Sequence, residues 1–339
     1  MFDLESSILK AFLLAEGGPV SGDRLAKELG VSRVSVWQRL ERLRAAGFVF
    51  DAAPRKGYRL TRTPEGLHPA LLDAHLRLRK VRAHTDFLPE TDSTNSEAER
   101  RLAAGEETPF VVLAGRQTAG RGRLGRVWHS AHPENLYVSF AFRPFLAPDR
   151  MQTFTLMMGL RVCERLAIRH ALPGLRLKWP NDIVCDGRKV AGMLTEARMD
   201  ADQVRDLVFG IGLNVNSDPA ALPAEVRETA GSLSHALGEK LDLHAEAADL
   251  IAGVIEAYED FEAAHGDADP RPLFSKYDSL RGLPVTIGLR GEPLAGVAEG
   301  VDARGALLLR LPDGGLTAVN AGEVTLRPPS KAPRAQKTR

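Results

Sequence analysis

The amino-acid sequence predicts an α+β protein built from several domains, and three observations support this fold class. A chain of 339 residues is longer than one ordinary hydrophobic core supports. Strand patterns joined by tight hairpin turns stand beside long amphipathic helices, a mixture typical of α+β folds rather than of doubly wound parallel sheets. The two ends also differ, since short helical patterns come first and short glycine-punctuated strands come last. We expect domains at residues 1–65, 66–275 and 276–329, followed by a disordered tail at 330–339.

The composition is that of an ordinary globular protein, with 44% hydrophobic and 26% charged residues. No segment approaches the ~20 consecutive apolar residues of a membrane helix, so we expect a cytoplasmic protein without a membrane partner. The two cysteines, Cys163 and Cys185, show no metal-ligand spacing and are too few for a disulfide framework. We expect them to act as small apolar residues in a reducing compartment.

The first domain carries the charge asymmetry of the chain. Residues 1–62 hold eleven Lys/Arg against seven Asp/Glu, a net +4, so the remainder of a chain whose total is +1 carries −3. A basic segment on a slightly acidic body indicates a separate module that binds nucleic acid.

Three short helices and a hairpin are predicted in this domain. Apolar residues at helical spacing cover residues 4–15, Ser21 opens a second helix, and Ser32 caps a third. A polar turn at 54–57 then joins two short strands. This order predicts a winged helix-turn-helix rather than a plain helical packing domain with solvated arginines. The expected DNA contacts are Ser32, Arg33, Ser35, Gln38, Arg39 and Arg42 on the third helix, and Arg55 and Lys56 in the wing.

The central region predicts strands flanked by long helices. One strand alternates apolar and polar residues, which is the period of a half-buried strand, and an Asp-Gly pair predicts a two-residue hairpin turn. The expected strands are Phe110–Ala114, Leu136–Phe142 (the half-buried one), Asp182–Cys185 and Lys189–Glu196 on either side of Asp186-Gly187, and Val204–Val215. The expected helices are Glu97–Ala104, capped by Ser93 or Thr94, Met151–Leu172 and Ala245–Glu262.

The most unusual stretch is the glycine–arginine segment Gly120–Arg126. Its glycines fit the dinucleotide fingerprint G-x-G-x-x-G, but residues 126–133 do not read as a helix and no acidic residue stands about 20 residues further on, so this interpretation fails. A P-loop with G-x-x-x-x-G-K-[ST] is absent from the sequence. Glycines let the backbone approach a ligand and arginines supply forked, permanently charged donors. We therefore expect a loop that closes over a phosphate or carboxylate.

A second unusual stretch is Lys178–Asp182, followed by Arg188–Gly192. Pro180 and Asn181 interrupt a strand pattern, and Lys189 is expected at the start of the next strand. A lysine there could neutralise a reacting carboxylate and phosphate, while Asp182 could hold Mg²⁺ or orient a neighbour.

Together these segments resemble the biotin–protein ligases, specifically the bifunctional type that also represses the biotin operon. The resemblance spans nearly the whole chain, and it is specific because five motifs occur in one order. The variable position of the loop holds Leu124. The motifs are Ser93-Thr94-Asn95, Gly115–Trp128, Lys178–Asp182, Arg188–Gly192 and Gly210–Asn214.

The resemblance implies roles for the matching positions. Its biotin-contacting set is Ser93, Thr94, Asn95, Gln117, Arg121, Gly122, Arg123, Lys189, Gly192 and Gly212. Within that set Lys189, Arg121 and Arg123 would be catalytic, and Lys178, Asn181 and Asp182 would lie beside ATP. The implied central domain is similar to class II synthetases.

The implied reaction has two steps. Biotin, the substrate, attacks the α-phosphorus of ATP to give biotinyl-5'-adenylate, and an acceptor lysine then displaces AMP. Mg²⁺ would enter with ATP, without a dedicated protein site. Catalysis would rest on positioning and on positive charge placed where negative charge accumulates.

The last domain shows five short strands separated by glycine turns, including one at Arg290-Gly291. It predicts a small β-barrel, SH3-like by resemblance. The resemblance also implies three partners: the biotin carboxyl carrier domain of a carboxylase, operator DNA and a second copy of the chain.

Three other interpretations stay open. The chain could attach lipoate or octanoate, as other members of the same superfamily do. It could be a ligand-sensing repressor without catalysis, although Lys189 and the complete arginine loop argue against this. It could also be a ligase whose first domain no longer binds DNA.

Overall fold

The computed structural model describes residues 3–53, 56–81, 83–130, 132–221, 224–288 and 293–326. Within them lie a two-stranded, a seven-stranded and a five-stranded sheet, together with helices, so the predicted α+β class is confirmed. Cys163 and Cys185 are free and buried, as predicted. In the described part of the chain, the helices are too short or too polar to cross a membrane. Arg55, the Arg290-Gly291 turn and the predicted disordered tail at 330–339 lie outside the described residues.

The N-terminal domain has the predicted winged helix-turn-helix arrangement. Ser21 accepts a hydrogen bond from the Arg24 amide, and Ser32 accepts one from the Ser35 amide, so both serines cap helices as expected. Gly57 has a φ of +105°, and a Cβ there would lie 2.1 Å from the Val20 carbonyl oxygen, so only glycine lets the wing pack on this segment. The elements are α1 (Asp3–Leu14), α2 (Gly22–Glu28), α3 (Arg33–Ala45), β1 (Val49–Ala53) and β2 (Gly57–Arg62).

The central domain is a seven-stranded sheet packed against helices. Its strand order is β3-β4-β5-β9-β8-β7-β6, and only the β3–β4 pair among these neighbours is parallel. The strands are β3 (His84–Leu88), β4 (Phe110–Ala114), β5 (Leu136–Phe142), β6 (Leu175–Lys178), β7 (Asp182–Cys185), β8 (Arg188–Asp200) and β9 (Gln203–Leu213). The helices are α4 (Pro69–Leu78), α5 (Thr94–Ala103), α6 (Phe154–Arg169), α7 (Ala224–Arg227), α8 (Leu233–Leu237), α9 (Leu243–Ala263) and α10 (Arg271–Tyr277).

Two sequence predictions for this domain were wrong in detail. Strand β5 is buried on both faces, not one, because it lies inside the sheet between β4 and β9. On one face Phe142 stacks on Tyr258 of α9 with ring centroids 3.8 Å apart, and on the other Ala141 packs with Leu102 of α5. The long helix expected from Met151 begins at Phe154, after a separate 3₁₀ turn.

The C-terminal domain is a five-stranded antiparallel sheet, which confirms the five predicted strands. Their order is β13-β12-β11-β10-β14, and their inward residues join the main hydrophobic core. The indole Nε1 of Trp179, in the β6–β7 turn, donates a hydrogen bond to the Gly305 carbonyl at 2.9 Å and so ties this domain to the central sheet. The strands are β10 (Pro284–Gly288), β11 (Leu294–Val301), β12 (Leu307–Arg310), β13 (Leu316–Val319) and β14 (Glu323–Leu326).

Helix α4 joins the N-terminal domain to the central one. Leu71 packs in the core of the first domain, while Leu72 packs in that of the second, so the boundary at residue 65 stays a prediction. The His68 amide donates to His244 Nε2 of α9 at 2.8 Å, and His75 stacks on His244 with ring centroids 6.4 Å apart. Three histidines are thus gathered at the junction of the two domains.

We predict that this histidine junction makes stability depend on pH. Burial lowers the pKa of His75 to about 4, although Asp242 opposes the shift, and burial also lowers the pKa of His68. Between pH 6.5 and 4 the unfolded chain therefore binds protons that the folded protein does not. The free energy of unfolding should fall as pH falls through this window, by up to about 1.4 kcal/mol per pH unit for His75, and His68 should act in the same direction.

Denaturant unfolding at several pH values measures this dependence. His75→Gln should flatten it, whereas His84→Gln, which changes a side chain that is 62% exposed, should leave it intact. Equal slopes for the wild type and His75→Gln would show that the junction does not titrate as argued.

Candidate active site

A buried polar cluster lies where β3 leads into α5. The backbone amide of Thr94 and its hydroxyl both donate to Gln117 Oε1, at 2.8 and 3.1 Å. Gln117 Nε2 then donates to the Ser130 hydroxyl at 2.8 Å, and Ser130 donates to the Trp128 carbonyl. Ser93 is also buried and is the N-cap residue of α5. The predicted residues Ser93, Thr94 and Gln117 are thus brought together.

Asn95 is turned into the wall of this cluster. Its Nδ2 donates to Glu196 Oε2 at 2.8 Å and to the Leu194 carbonyl at 3.4 Å, while its Oδ1 accepts from the fully buried Ser139 hydroxyl at 2.5 Å. These bonds use the amide's donors and one acceptor position. The expectation that Asn95 contacts a ligand directly is therefore not favoured by this geometry. Ser139, whose hydroxyl oxygen also lies 2.8 Å from that of Thr94, was missed because a serine in an apolar strand carries no motif.

The glycine–arginine segment folds as a short closed hairpin. The Gly122 amide donates to the Arg126 carbonyl at 2.8 Å, and the Trp128 amide donates to the Gly120 carbonyl at 2.9 Å. A Cβ on Gly120 would lie 2.4 Å from the Trp128 carbonyl oxygen, so glycine is required where the hairpin closes.

Trp128 at the end of this hairpin lies on a floor of bare backbone. Gly192 of β8 and Gly212 of β9 are directly paired in the sheet. A Cβ on Gly192 would lie 2.8 Å from the indole ring, and a Cβ on Gly212 would lie 2.2 Å from it. Lys189 Nζ lies 5.2 Å from the centre of the same ring, in cation–π range. The sequence motif contained Trp128, but sequence reasoning assigned it no role.

Lys189 stands at the start of β8, as predicted, and pairs with Asp182 at 2.8 Å. Lys178 lies opposite Asp182 in the β6–β7 register. Asn181, in the turn between these strands, donates to the Met193 carbonyl and accepts a hydrogen bond from Arg123 at 3.2 Å. The second predicted motif and the arginine loop therefore meet around one lysine.

The loop arginines are held by acidic and carbonyl groups from distant segments. Arg121 pairs with Glu196 at 2.7 Å, Arg123 also donates to the Gly322 carbonyl at 3.3 Å, and Arg126 contacts Glu323. Burial lowers the pKa of Arg123, an effect that Asp182 and Glu323 oppose. Gly322 and Glu323 belong to the C-terminal domain, so that domain forms one side of the loop's environment.

One group of possible metal ligands occurs among the described residues, formed by His84, Asp86 and Glu106. It lies at the start of β3, whereas the Ser93 segment follows the strand's end. Arg101 contacts Asp86 and comes within 4.0 Å of Glu106, so this group already has a cation beside it.

Comparisons with known proteins show the family to which this chain belongs. Family models match residues 87–214 (biotin/lipoate A/B protein ligase family), 5–59 (HTH domain) and 282–327 (biotin protein ligase C terminal domain). The bifunctional ligase/repressor BirA of Bacillus subtilis is 32% identical over 92% of this chain and 95% of its own length. The chain belongs to the biotin/lipoate A/B protein ligase family.

Two further biotin ligases are similar to this chain. The biotin–[acetyl-CoA-carboxylase] ligase of Mycobacterium tuberculosis is 33% identical over 76% of this chain and 96% of its own length. The solved biotin protein ligase from Aquifex aeolicus, in complex with biotin and ATP, superposes with a TM-score of 0.61 at 29% identity. That alignment covers 72% of this chain and 98% of the Aquifex chain.

The HTH domain of this family member presents helix α3 to solvent. Arg39 was expected on the outer face of α3. Instead it pairs with Glu5 of α1 at 3.3 Å and is only 25% exposed. Arg33 is exposed but pairs with Asp23. Sequence reasoning gave no role to Val34 and Trp37, which are 62% and 52% exposed. The exposed residues of α3 include Arg33, Val34, Trp37, Gln38 and Arg42.

We predict that Gly212→Ala displaces Trp128 from its floor. The new methyl group would overlap the indole, so the free energy of unfolding should fall by about 1–3 kcal/mol and the tryptophan fluorescence should change. Gly288→Ala is the matched control, because among the described residues a Cβ there meets only the Glu323 carbonyl oxygen, at 3.9 Å. Fluorescence and stability like those of the wild type in Gly212→Ala would contradict the packing argument.

Proposed function

We propose that this chain is an ATP-dependent biotin–protein ligase. The observation that carries the proposal is that Lys189 and the arginine hairpin meet beside Trp128, whose carbonyl also accepts a hydrogen bond from the buried polar cluster of Ser93, Thr94, Gln117 and Ser130, called the head pocket below. A pocket for an uncharged polar head beside a cluster of cations suits a long-chain carboxylic acid that must react with a nucleotide phosphate. The relatives' names, which include biotin ligases, point to the same acid.

The proposed reaction proceeds in two balanced steps. A biotin carboxylate oxygen attacks the α-phosphorus of ATP, so a new P–O bond forms while the bond to pyrophosphate breaks. The amine of an acceptor lysine then attacks the biotinyl carbonyl, and AMP leaves as the amide forms. A biotin carboxyl carrier domain of a carboxylase is the proposed acceptor.

Positive charge is the chain's main contribution to the first step. Lys189 and Arg123 would face the carboxylate and the α-phosphate, where negative charge accumulates, and Arg121 would complete the cluster. Mg²⁺ would enter with ATP and neutralise its phosphates, and Asp182, which pairs with Lys189, would orient that lysine and lie near the metal. Lys178 and Asn181 would lie beside the nucleotide.

The head pocket favours biotin over lipoate, although the family model includes both activities. We assign the contacts with the head group of biotin to Ser93, Thr94 and Gln117. Their hydroxyl and amide groups line this end of the site. A ureido ring offers N–H donors and a carbonyl acceptor, whereas a dithiolane ring offers neither. A hydroxyl- and amide-rich lining therefore suits the ureido head better than the dithiolane. Gly122 stays a proposed contact in the loop, whereas biotin would reach the backbone of Gly192 and Gly212 only if the Trp128 indole that covers them moved.

The same chain is proposed to act as a biotin-responsive repressor that binds operator DNA as a homodimer. The support is the winged helix-turn-helix, the exposed polar face of α3 and the ligase/repressor name of the relative from Bacillus subtilis. Ser32, Ser35, Gln38, Arg42 and Lys56 stay the proposed DNA contacts. Arg33 keeps that role only if DNA displaces Asp23.

The ligase proposal predicts that Lys189→Ala lowers the rate of adenylate formation by about 10²–10³-fold, the loss typical of removing one preorganised charge-stabilising donor. Pyrophosphate release in the presence of biotin and MgATP measures this step, and labelled avidin detects biotin on the carrier domain. Lys276→Ala removes an exposed lysine that pairs with Glu164, and it should behave as wild type. Near-normal pyrophosphate release by Lys189→Ala would count against the assignment.

The repressor proposal predicts that Arg42→Ala weakens binding to a mixed-sequence DNA duplex and lowers its salt slope by about one, as expected for one lost phosphate contact. Fluorescence anisotropy at several salt concentrations measures both. Arg39→Ala should leave the salt slope unchanged, because Arg39 is committed to Glu5. Failure of the wild-type protein to bind DNA, with or without biotin and MgATP, would remove the repressor role and leave the ligase proposal standing.

A further inference from the structure

Glu196 of β8 connects the head pocket to the arginine hairpin. Its Oε2 accepts a hydrogen bond from Asn95 Nδ2 at 2.8 Å and pairs with Arg121 Nη2 at 2.7 Å. The same carboxylate oxygen therefore touches the pocket wall and the loop that would close over the reacting carboxylate.

On the pocket side of this connection, the Asn95 amide is held in one orientation. The Asn95 amide is oriented by Ser139, which donates to its Oδ1, and by the Leu194 carbonyl, which accepts from its Nδ2. A Cβ on Gly210 would lie 2.1 Å from Asn95 Oδ1, so the amide occupies space that only a glycine leaves open. With the amide fixed in this way, its remaining N–H points at Glu196 and requires an acceptor there.

On the loop side of the connection, neighbouring residues engage only part of the Arg121 guanidinium. Its Nη2 is engaged by Glu196 and lies 3.2 Å from Glu99. Its Nε is buried and has no hydrogen-bond partner among the described residues. A buried N–H without an acceptor is unfavourable, and an anion entering the site would supply one.

A chain of contacts therefore runs from Ser139 through Asn95 and Glu196 to Arg121. The Ser139 hydroxyl also contacts the Thr94 hydroxyl, and from there a second route runs through Gln117 and Ser130 to the carbonyl of Trp128. Both ends of the arginine hairpin are thereby tied to one buried hydroxyl below the head pocket.

We propose that Glu196 is a positioning residue that couples the filling of the head pocket to the placement of Arg121. It anchors one nitrogen of the guanidinium against the pocket wall and leaves Nε–H directed to the acid's carboxylate or the adenylate. This inference rests on the proposed ligase function. It predicts that loss of the Glu196 charge weakens biotin binding and loosens the hold on the adenylate, while ATP binding is largely unaffected.

Glu196→Gln tests the proposal, with Glu99→Gln as the matched control. Glu99 also faces Arg121, but no contact joins it to Asn95 among the described residues. The readouts are KM for biotin and for MgATP in pyrophosphate release, and the ratio of biotin attached to a bystander protein to biotin attached to the carrier domain. For Glu196→Gln we expect a biotin KM raised at least about tenfold, the loss typical of one charge-assisted hydrogen bond. Its bystander ratio should rise and its KM for MgATP should stay within about twofold.

A merely structural role for Glu196 would lower the folded fraction, and with it kcat, without moving the biotin KM or the bystander ratio. Unchanged values of both in a folded Glu196→Gln protein, or equal changes in Glu99→Gln, would overturn the proposal. If Glu196→Gln does not fold, Glu196→Asp takes its place, since it keeps the charge but withdraws it from Arg121. Absence of biotin transfer by the wild-type protein would instead reject the ligase function itself.

Discussion

The candidate site depends on one close approach: the indole of Trp128 lies directly on the backbone of two central strands. Two glycines, Gly192 and Gly212, face each other in the sheet and leave a gap where every other residue would place a Cβ. The indole fills this gap, so the end of the arginine hairpin lies against the sheet and Lys189 lies over the ring. The hydrogen bond from Arg123 to Asn181 adds a second link between the loop and the Lys178–Asp182 turn.

The concentration of positive charge at the site is stabilised by carboxylates from three parts of the chain. Asp182 faces Lys189, Glu196 faces Arg121 and Glu323 faces Arg126. Each pair lowers the repulsion among neighbouring cations, which would otherwise oppose closure of the hairpin. Because an anionic substrate can replace Asp182 or Glu323 as the partner of a cation, the same arrangement suits a site that must bind and release phosphate.

The three domains share contacts that make the site a property of the whole chain. Helix α4 contributes to two cores, and the Trp179 indole, from the turn beside Lys178, donates to Gly305 of the C-terminal domain. The Gly322 carbonyl from that domain accepts a hydrogen bond from Arg123. The C-terminal domain has no motif of its own, yet it supplies groups that the loop arginines contact.

The sequence by itself determined the features that depend on a few neighbouring residues. Caps at Ser21 and Ser32, the Asp186-Gly187 turn and the closing glycines of the hairpin follow from local backbone and hydrogen-bond preferences. Motif spacing also located Lys189 and the arginine loop.

Only the tertiary structure decided which groups these residues meet. Asn95 points into the wall and Arg39 towards Glu5, β5 is buried on both faces, and Glu196 and Glu323 reach the loop from distant segments. Those partners depend on strand register and on packing between segments far apart in the chain, and local spacing carries no information about either.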